Sequence, residues 1–314
     1  MTYGKNIDYR WLRFYWQRID TNINAKNYQI HVLDNLVFGQ SFICDNKITN
    51  HKIDITDKTK LIELVKNIKP KIVVHLAAIH SIPVCEKQRQ STQLTNILGT
   101  ENLLQALQNI KLEKFILAST GGVYDWKTKI ASEKLSLANP QDNYTTTKYV
   151  NEKQLYFWSE MTANPYVILR IYNTIGPNDP NGHLVPDILS QLDDKKKVNK
   201  INLGNIKPKR DYIDVIDVAK SISKIIELKT SKKSDVINIC NQTSYSIKDI
   251  VNIISKELNI KIIINVDKKR IRKFDRPHQT GSNNKLKTLT GYKPTYKLKD
   301  SIKRIIDNTM KGTR

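Results

Sequence analysis

From residue 58 to residue 173 the chain alternates two hydrophobic periods, and few folds accept that alternation. "KTKLIELVKNI" has apolar residues at helical spacing, and "KIVVHLAA" follows it as a short continuous apolar run. "NILGTENLLQALQNI" is helical again, "KFILAST" strand-like, "TTTKYVNEKQLYFWSEM" helical and "YVILRIYN" strand-like. Continuous apolar strands separated by amphipathic helices predict βαβ units and a mostly parallel sheet covered on both faces. Beyond it, "GPNDPNGH" is a loop set by Gly and Pro, and "SIKDIVNIISKEL", "IKIIINV" and "LKDSIKRIID" predict a smaller α/β lobe. At 314 residues, one large α/β unit or two lobes can bury a substantial core.

Composition narrows the functions. The formal charge of +22 raises nucleic acid as a partner, but 41 of the 52 basic residues are lysines spread along the chain. With Ile and Asn also abundant, an A/T-biased genome explains the lysines as a solvated face, and no nucleic-acid role is expected. No apolar run reaches the ~20 residues of a membrane span, and the first residues lack the apolar core of a signal peptide. A cytoplasmic protein without a membrane partner is expected. Cys44, Cys85 and Cys240 are odd in number and lack ligand spacing, so they are expected to be reduced, with no metal site.

Eight stretches in order, "HVLDNL", "KIDITD", "VVHLAAIHSIPVCE", "NILGTENLL", "FILASTGGVYD", "YTTTK", "LRIYNTIGPND" and "PKRDYIDVIDVA", resemble the extended short-chain dehydrogenase/reductase family in its nucleotide-sugar epimerase/dehydratase branch. They run from residue 31 to residue 219. The resemblance implies a Rossmann-type doubly wound sheet with a smaller C-terminal substrate lobe, and NAD as cofactor. The implied division is a cofactor domain over 1–172, to which the chain returns around 211–240, and a substrate lobe over 173–314.

Asp34 closes a strand where a carboxylate can accept both ribose hydroxyls of adenosine and would repel a 2′-phosphate, which favours NAD over NADP. By resemblance, Asn35 also belongs to the cofactor site, Asp54 and Ile55 flank the adenine, and Leu76, Ala77 and Ala78 run beneath the cofactor. Asn96 orders the central strands, and Tyr172 completes the cofactor set. Tyr144 and Lys148 share a helix face, so the ammonium can lower the phenol towards a useful base. Composition predicts about two chance Tyr-x-x-x-Lys pairs, and a second occurs at Tyr149/Lys153. Tyr144 is chosen because it opens its helix after "ANPQDN", as the family's motif does. Thr120 ends a strand where the family places a Ser or Thr that bridges substrate and tyrosine. Dehydratases of the family place an acid after that hydroxyl, whereas Gly121 and Gly122 follow here. That pattern is similar to the epimerases. Asn173, Arg210 and Arg276 are the implied substrate ligands, the arginines for the nucleoside diphosphate. After Arg276 the family's Gly-Asp is replaced by "HQTGSNN", which leaves the nucleotide open.

One stretch contradicts the rest. A glycine-rich turn should precede the strand ending at Asp34, yet "KNIDYRWLRFYWQRID" has no glycine and holds two of the four tryptophans. Advancing the reading frame by one nucleotide turns Trp11 and Trp16 into obligatory glycines, because TGG is followed by C or T. With permitted codons "KNIDYRWLRFYW" becomes "KILITGGCGFIG", a strand with a Gly-Gly-x-Gly-x-x-Gly turn. Two compensating frameshifts, in the gene or in its sequencing, would account for the stretch. If the printed residues are real, Arg and Trp side chains stand where a pyrophosphate needs backbone N–H groups.

The expected function is an NAD-dependent nucleotide-sugar epimerase of the 4-epimerase type, working as a homodimer. The implied dimer faces are the helix with Tyr149, Leu155, Tyr156, Phe157 and Trp158, and the one around Leu103 to Leu107. A dehydratase, a keto-sugar reductase and a non-catalytic remnant stay open as alternatives, and the sequence does not name the sugar.

Overall fold

The computed structural model of the chain describes residues 28–37, 48–179, 183–193, 195–229, 234–271 and 275–311. The glycine-free stretch and Cys44 lie outside the described residues. In chain order the main elements are β1 (Ile30–Asp34), β2 (Ile48–Lys52), α1 (Lys58–Ile68), β3 (Ile72–His75), α2 (Ile82–Lys87), α3 (Arg89–Gln93), a π-helical segment (Leu94–Leu98), α4 (Gly99–Ala106), β4 (Lys114–Thr120), α5 (Asn143–Thr162), β5 (Tyr166–Ile171), β6 (Asn173–Ile175), α6 (Leu184–Ser190), β7 (Val198–Leu203), β8 (Lys209–Asp214), α7 (Val215–Glu227), β9 (Ser234–Ile239), β10 (Ser244–Ser246), α8 (Ile247–Leu258), β11 (Lys261–Val266), β12 (His278–Gln279), α9 (Asn284–Thr290) and α10 (Leu298–Lys311).

Strands β3, β4, β5 and β9 form a parallel sheet in that order, and the ends of three of them align at Thr120, Ile171 and Ile239. Every residue of β5 is buried, as a parallel strand covered on both faces requires. A second parallel pair, β1 with β2, brings Asp34 opposite Lys52. Among the described residues no backbone ladder joins β1 to β3. The two blocks nevertheless share their packing. Ile30 and Val32 join Val74, Ile116 and Leu169 under Val218, Ile222 and Ile225 of α7. On the opposite face Leu33 joins Leu61, Leu104, Leu107, Phe115, Leu155 and Trp158. This is the doubly wound α/β architecture that the alternation predicts.

Local chemistry sets the helix ends. Asp57 caps α1 by accepting from the Lys60 N–H. Asp142 and Thr145 form a reciprocal capping box at the start of α5, which runs 20 residues to a left-handed Ala163. A separate cluster of Ile175, Ile188, Ile201, Leu203, Ile250, Ile254 and Ile302 holds the C-terminal elements. There β7 pairs in parallel with β11, and its inward residues alternate with exposed ones. Strands β10, β8 and β12 form a further small sheet, with β6 on β8.

Candidate active site

A cleft of about 640 Å³ opens at the carboxyl ends of β3, β4 and β5, where parallel α/β sheets bind ligands. Its walls carry Thr120, Tyr144, Lys148, Asn173, Arg210 and Arg276, and Leu76 to Ala78 with Tyr172 lie along it. Tyr149 and Lys153 are not in its lining. Lys153 instead sits over the Tyr149 ring, 5.2 Å from the ring centre, on the outer side of α5.

Thr120 closes β4 in an extended conformation, and its hydroxyl accepts the Gly122 N–H at 3.1 Å. Burial pushes the Tyr144 phenol well above its ordinary range, and a hydrogen bond with Thr120 opposes that push. Burial lowers the Lys148 ammonium to about 8, while Glu152 draws it back up. Lys148 Nζ is buried and has no hydrogen-bond partner among the described residues. A lone buried ammonium costs free energy that a polyhydroxylated ligand offsets, so this end of the cleft fits a cofactor ribose.

Gly121 and Gly122 have a steric basis. A Cβ at Gly121 would lie 2.5 Å from the Tyr172 ring, and one at Gly122 would lie 2.6 Å from Thr145 Cγ2. No carboxylate fits directly after Thr120 without displacing the Tyr172 ring or the Thr145 side chain.

The remaining sequence-derived positions divide. Asp34 ends β1, buried, with Oδ1 accepting the Leu36 N–H at 2.7 Å. Asn35 donates to Asp54 at 3.0 Å, so these two side chains are joined. Ile55 is packed against Gly99 in the core and its carbonyl accepts from Asn102 at 3.3 Å, so neither its side chain nor its carbonyl is free for an adenine. Asn96 accepts from the Ile79 N–H at 2.7 Å and donates to Ile79 O and Thr147 Oγ1, both at 2.9 Å. Its groups clamp the β3 loop to α5, so it acts on the site through position. Tyr172 is buried, with its hydroxyl unpartnered.

The arginines are held by the protein itself. Arg210 pairs with Asp275 at 2.6 Å and also donates to Arg276 O. Arg276 is 6% exposed and donates to the carbonyls of Gly121, Asp125 and His278. That leaves Arg276 fixing the turn after Thr120 as well as facing the cleft. Three groups of the wall escaped the sequence reading: Arg270 paired with Asp187 at 2.7 Å, His183 bonded to Asp179 at 2.7 Å, and His80, whose ring centre lies 6.1 Å from that of His183 with the planes tilted by 56°. Burial lowers His80 to about 3, so it is neutral. The two histidines lie about a hundred residues apart, and no local pattern links them.

Thus a parallel-sheet cleft carries a Thr, Tyr and Lys at strand end and helix face, and the sequence profile agrees: the chain belongs to the NAD dependent epimerase/dehydratase family, whose profile matches residues 18–240. It is 26% identical over 265 residues to the GDP-6-deoxy-D-mannose reductase of Pseudomonas aeruginosa, covering 82% of this chain and 86% of that one. To the UDP-glucose 4-epimerase of Rhizobium meliloti it is 25% identical over 289 residues, with 87% of each covered. The UDP-glucuronic acid 4-epimerase of Bacillus cereus, solved with UDP-glucuronic acid and NAD, superposes with a TM-score of 0.80 at 27% identity, covering 94% of this chain and 95% of that one. No described helix is long and apolar enough to cross a membrane.

Proposed function

We propose that the chain is a nucleotide-sugar epimerase of the 4-epimerase type, built from a cofactor domain over 1–172 and 211–240 and a substrate lobe formed by the rest. The observation that carries this reading is the turn after Thr120. A hydroxyl, a phenol and an ammonium share the cleft, and the packing of Gly121 and Gly122 leaves no room for the acid that water elimination would use. In this reading Tyr144 takes the proton of the sugar 4-hydroxyl, and Thr120 relays it. Lys148 holds the cofactor ribose and supplies the positive charge that a buried phenol needs to act as a base. NAD, when bound, accepts and returns the hydride. Asp34 holds the adenosine ribose, with Asn35, Asp54, the Leu76–Ala78 segment and Tyr172 beside the cofactor. Arg210, Arg276 and Asn173 hold the nucleoside diphosphate. Turning the keto-sugar over between the two transfers inverts C4. Assay of a frame-corrected enzyme against UDP- and GDP-sugars tests this, and net 4,6-dehydration would reject it. Net reduction of a keto-sugar would move the function to the reductases, which the Pseudomonas relative favours.

The frameshift belongs to the same proposal. Its support is that the family profile begins to match at residue 18, just past Trp16. A second reading, a folded remnant without turnover, is motivated by the glycine-free stretch alone. Calorimetry separates them: the chain as printed should bind NAD weakly or not at all, and the frame-corrected chain tightly. Tight binding by the printed chain removes the remnant and the steric argument together.

We also propose a homodimer through α5 and the neighbouring helical run. Leu155, Trp158 and the Leu103, Leu104 and Leu107 side chains are spent in the chain's own core, contrary to their assignment to the dimer face. The apolar residues left outside are Leu94, Leu98, Tyr156, Phe157 and Met161. Sedimentation at micromolar concentration should give a dimer, and a monomer there would overturn the assignment.

A further inference from the structure

Below Lys148, one helical turn on, stands a buried acid that the mechanism above does not use. Tyr144, Lys148 and Glu152 are four residues apart and share one face of α5. Glu152 is 5% exposed. Arg170 on β5 grips it with two donors, Nη2 at 2.7 Å and Nε at 3.0 Å. Ser119 on β4, the residue before Thr120, donates to it at 2.5 Å. Arg170 in turn lies over the Tyr124 ring at 4.5 Å, and the Tyr124 hydroxyl donates to Asn238 of β9 at 2.8 Å. A buried ion pair contributes little net stability over an apolar pair, so its reason to exist is better sought in position and charge.

We propose that Glu152 is a positioning residue of this site: its carboxylate, locked to β4 and β5 by Ser119 and Arg170, is the counter-charge to the Lys148 ammonium and seats the helix bearing Tyr144 against the strand that ends in Thr120. The consequence for turnover rests on the epimerase reading; the geometry does not. Lys148 faces Tyr144 and Glu152 on its own helix, with His75 at the end of β3 and His80 just beyond it. Burial holds both imidazoles below their ordinary value, so neither balances nor adds to the ammonium near neutrality. Glu152 faces Ser119, Arg170 and Tyr166. Among these described groups Glu152 is the one carboxylate acting on Lys148, and desolvation alone would strip the amine of its proton. A neutral amine neither lowers the phenol nor holds a ribose as a cation.

The test reads Lys148 in the full chain, with neither NAD nor sugar present. The pH dependence of its side-chain Cε NMR shift, assigned by its loss in Lys148→Met, gives the midpoint at which the amine loses its proton. The wild type should show a midpoint of about 8. Glu152→Gln leaves the Arg170 cation unbalanced and should move the midpoint down by about one pH unit or more, which means about 10-fold more free amine in the acid limb. Arg170→Met leaves the carboxylate and should move the midpoint up. The double variant, which lacks the counter-charge, should fall below the wild type but not below Glu152→Gln. A purely structural ion pair predicts no movement, or movement in one direction for both single variants, and either result overturns the proposal. If Glu152→Gln does not fold, the upward shift of Arg170→Met and its reversal in the double variant decide. Turnover with unmoved midpoints would remove this inference alone. Loss of turnover in every frame-corrected variant, with the opposed shifts intact, would remove only the epimerase reading.

Discussion

The two ends of the cleft are built on opposite plans. At the Tyr144 end the polar groups come from a strand terminus and the first turns of a capped 20-residue helix, and Lys148 Nζ makes no hydrogen bond among the described residues. At the Arg210 end, among the described residues, the arginines are already engaged: Arg210 by Asp275, Arg270 by Asp187, and Arg276 by three carbonyls. A ligand at the first end gains contacts that the protein does not make for itself. A diphosphate at the second must exchange places with a carboxylate, so net affinity there is a difference between two strong interactions. On the proposed function, chemistry falls where the protein leaves groups unsatisfied, and selectivity where it satisfies them provisionally.

The sharpest way to break this comparison is to remove the titrating oxygen. Tyr144→Phe in a frame-corrected enzyme should lower turnover by at least the ~10²-fold typical of lost acid–base catalysis, with NAD still bound. Tyr149, five residues on, is turned about 140° around the helix and carries the Lys153 contact on the outer side. Tyr149→Phe should change turnover little. The reverse ranking would place the chemistry on the wrong face of α5.

At the other end the exchange model makes a signed prediction. Arg210→Ala should raise KM for the nucleotide-sugar by roughly 10–100-fold, the value of a charge-assisted hydrogen bond, with kcat less affected. Asp275→Asn removes the competing carboxylate and should tighten nucleotide-sugar binding several-fold by calorimetry. If Asp275→Asn weakens binding instead, Asp275 orients Arg210 rather than competing for it, and the contrast between the two ends fails.

How much of this was written in the sequence depends on range. The β3 to β5 alternation, the Tyr144 helix and the Thr120 strand end are local patterns, and each is found where its period puts it. The glycines after Thr120 were legible as a pattern, but their reason, contact with Tyr172 and Thr145, needed the fold. Ile55 and Asn96 show the limit. Their positions match a motif, while their side chains are spent on Gly99, Ile79 and Thr147 across the fold. Glu152 could have been suspected from its spacing to Lys148. Its partners Ser119 and Arg170 come from two other strands, and no local rule joins them.

The Tyr144 end also predicts an alkaline limit. In the proposed role Lys148 works as a cation, and burial lowers it to about 8. The frame-corrected enzyme should lose affinity for NAD as pH rises through about 8, by several-fold per unit beyond it. The same shift makes the opposite contribution to stability. A lysine depressed from 10.5 costs the folded state below about 8 and relieves that cost as pH rises further. Affinity and stability should therefore diverge above pH 8 in the wild type and move together in Lys148→Met.

A last test lies beneath the Arg210 end. Successive residues of a strand face opposite ways, so Arg210 faces the cleft while Asp211, next on β8, is fully buried. Desolvation raises the Asp211 carboxyl to about 7, although N–H groups of Asn241, Gln242 and Gly281 pull it down. The sign follows from proton counting. Between the unfolded value of 3.8 and the folded value of about 7 the folded chain binds more protons than the unfolded one. Stability from this group is thus complete below about 4 and is lost as pH rises towards 7. The loss is on the order of 2–4 kcal/mol if the site stays dry. Asp211→Asn deletes the titration, and its amide meets one of the same N–H groups unfavourably at every pH, so the variant carries a constant offset. Urea midpoints from pH 4 to pH 8 should fall more steeply for the wild type than for Asp211→Asn, converging or crossing near neutrality. Parallel curves would mean that the carboxylate is solvated or counterbalanced in the folded chain. The floor beneath Arg210 would then be as wet as the cleft itself, and the contrast with the dry Tyr144 end would have to be drawn from Lys148 alone.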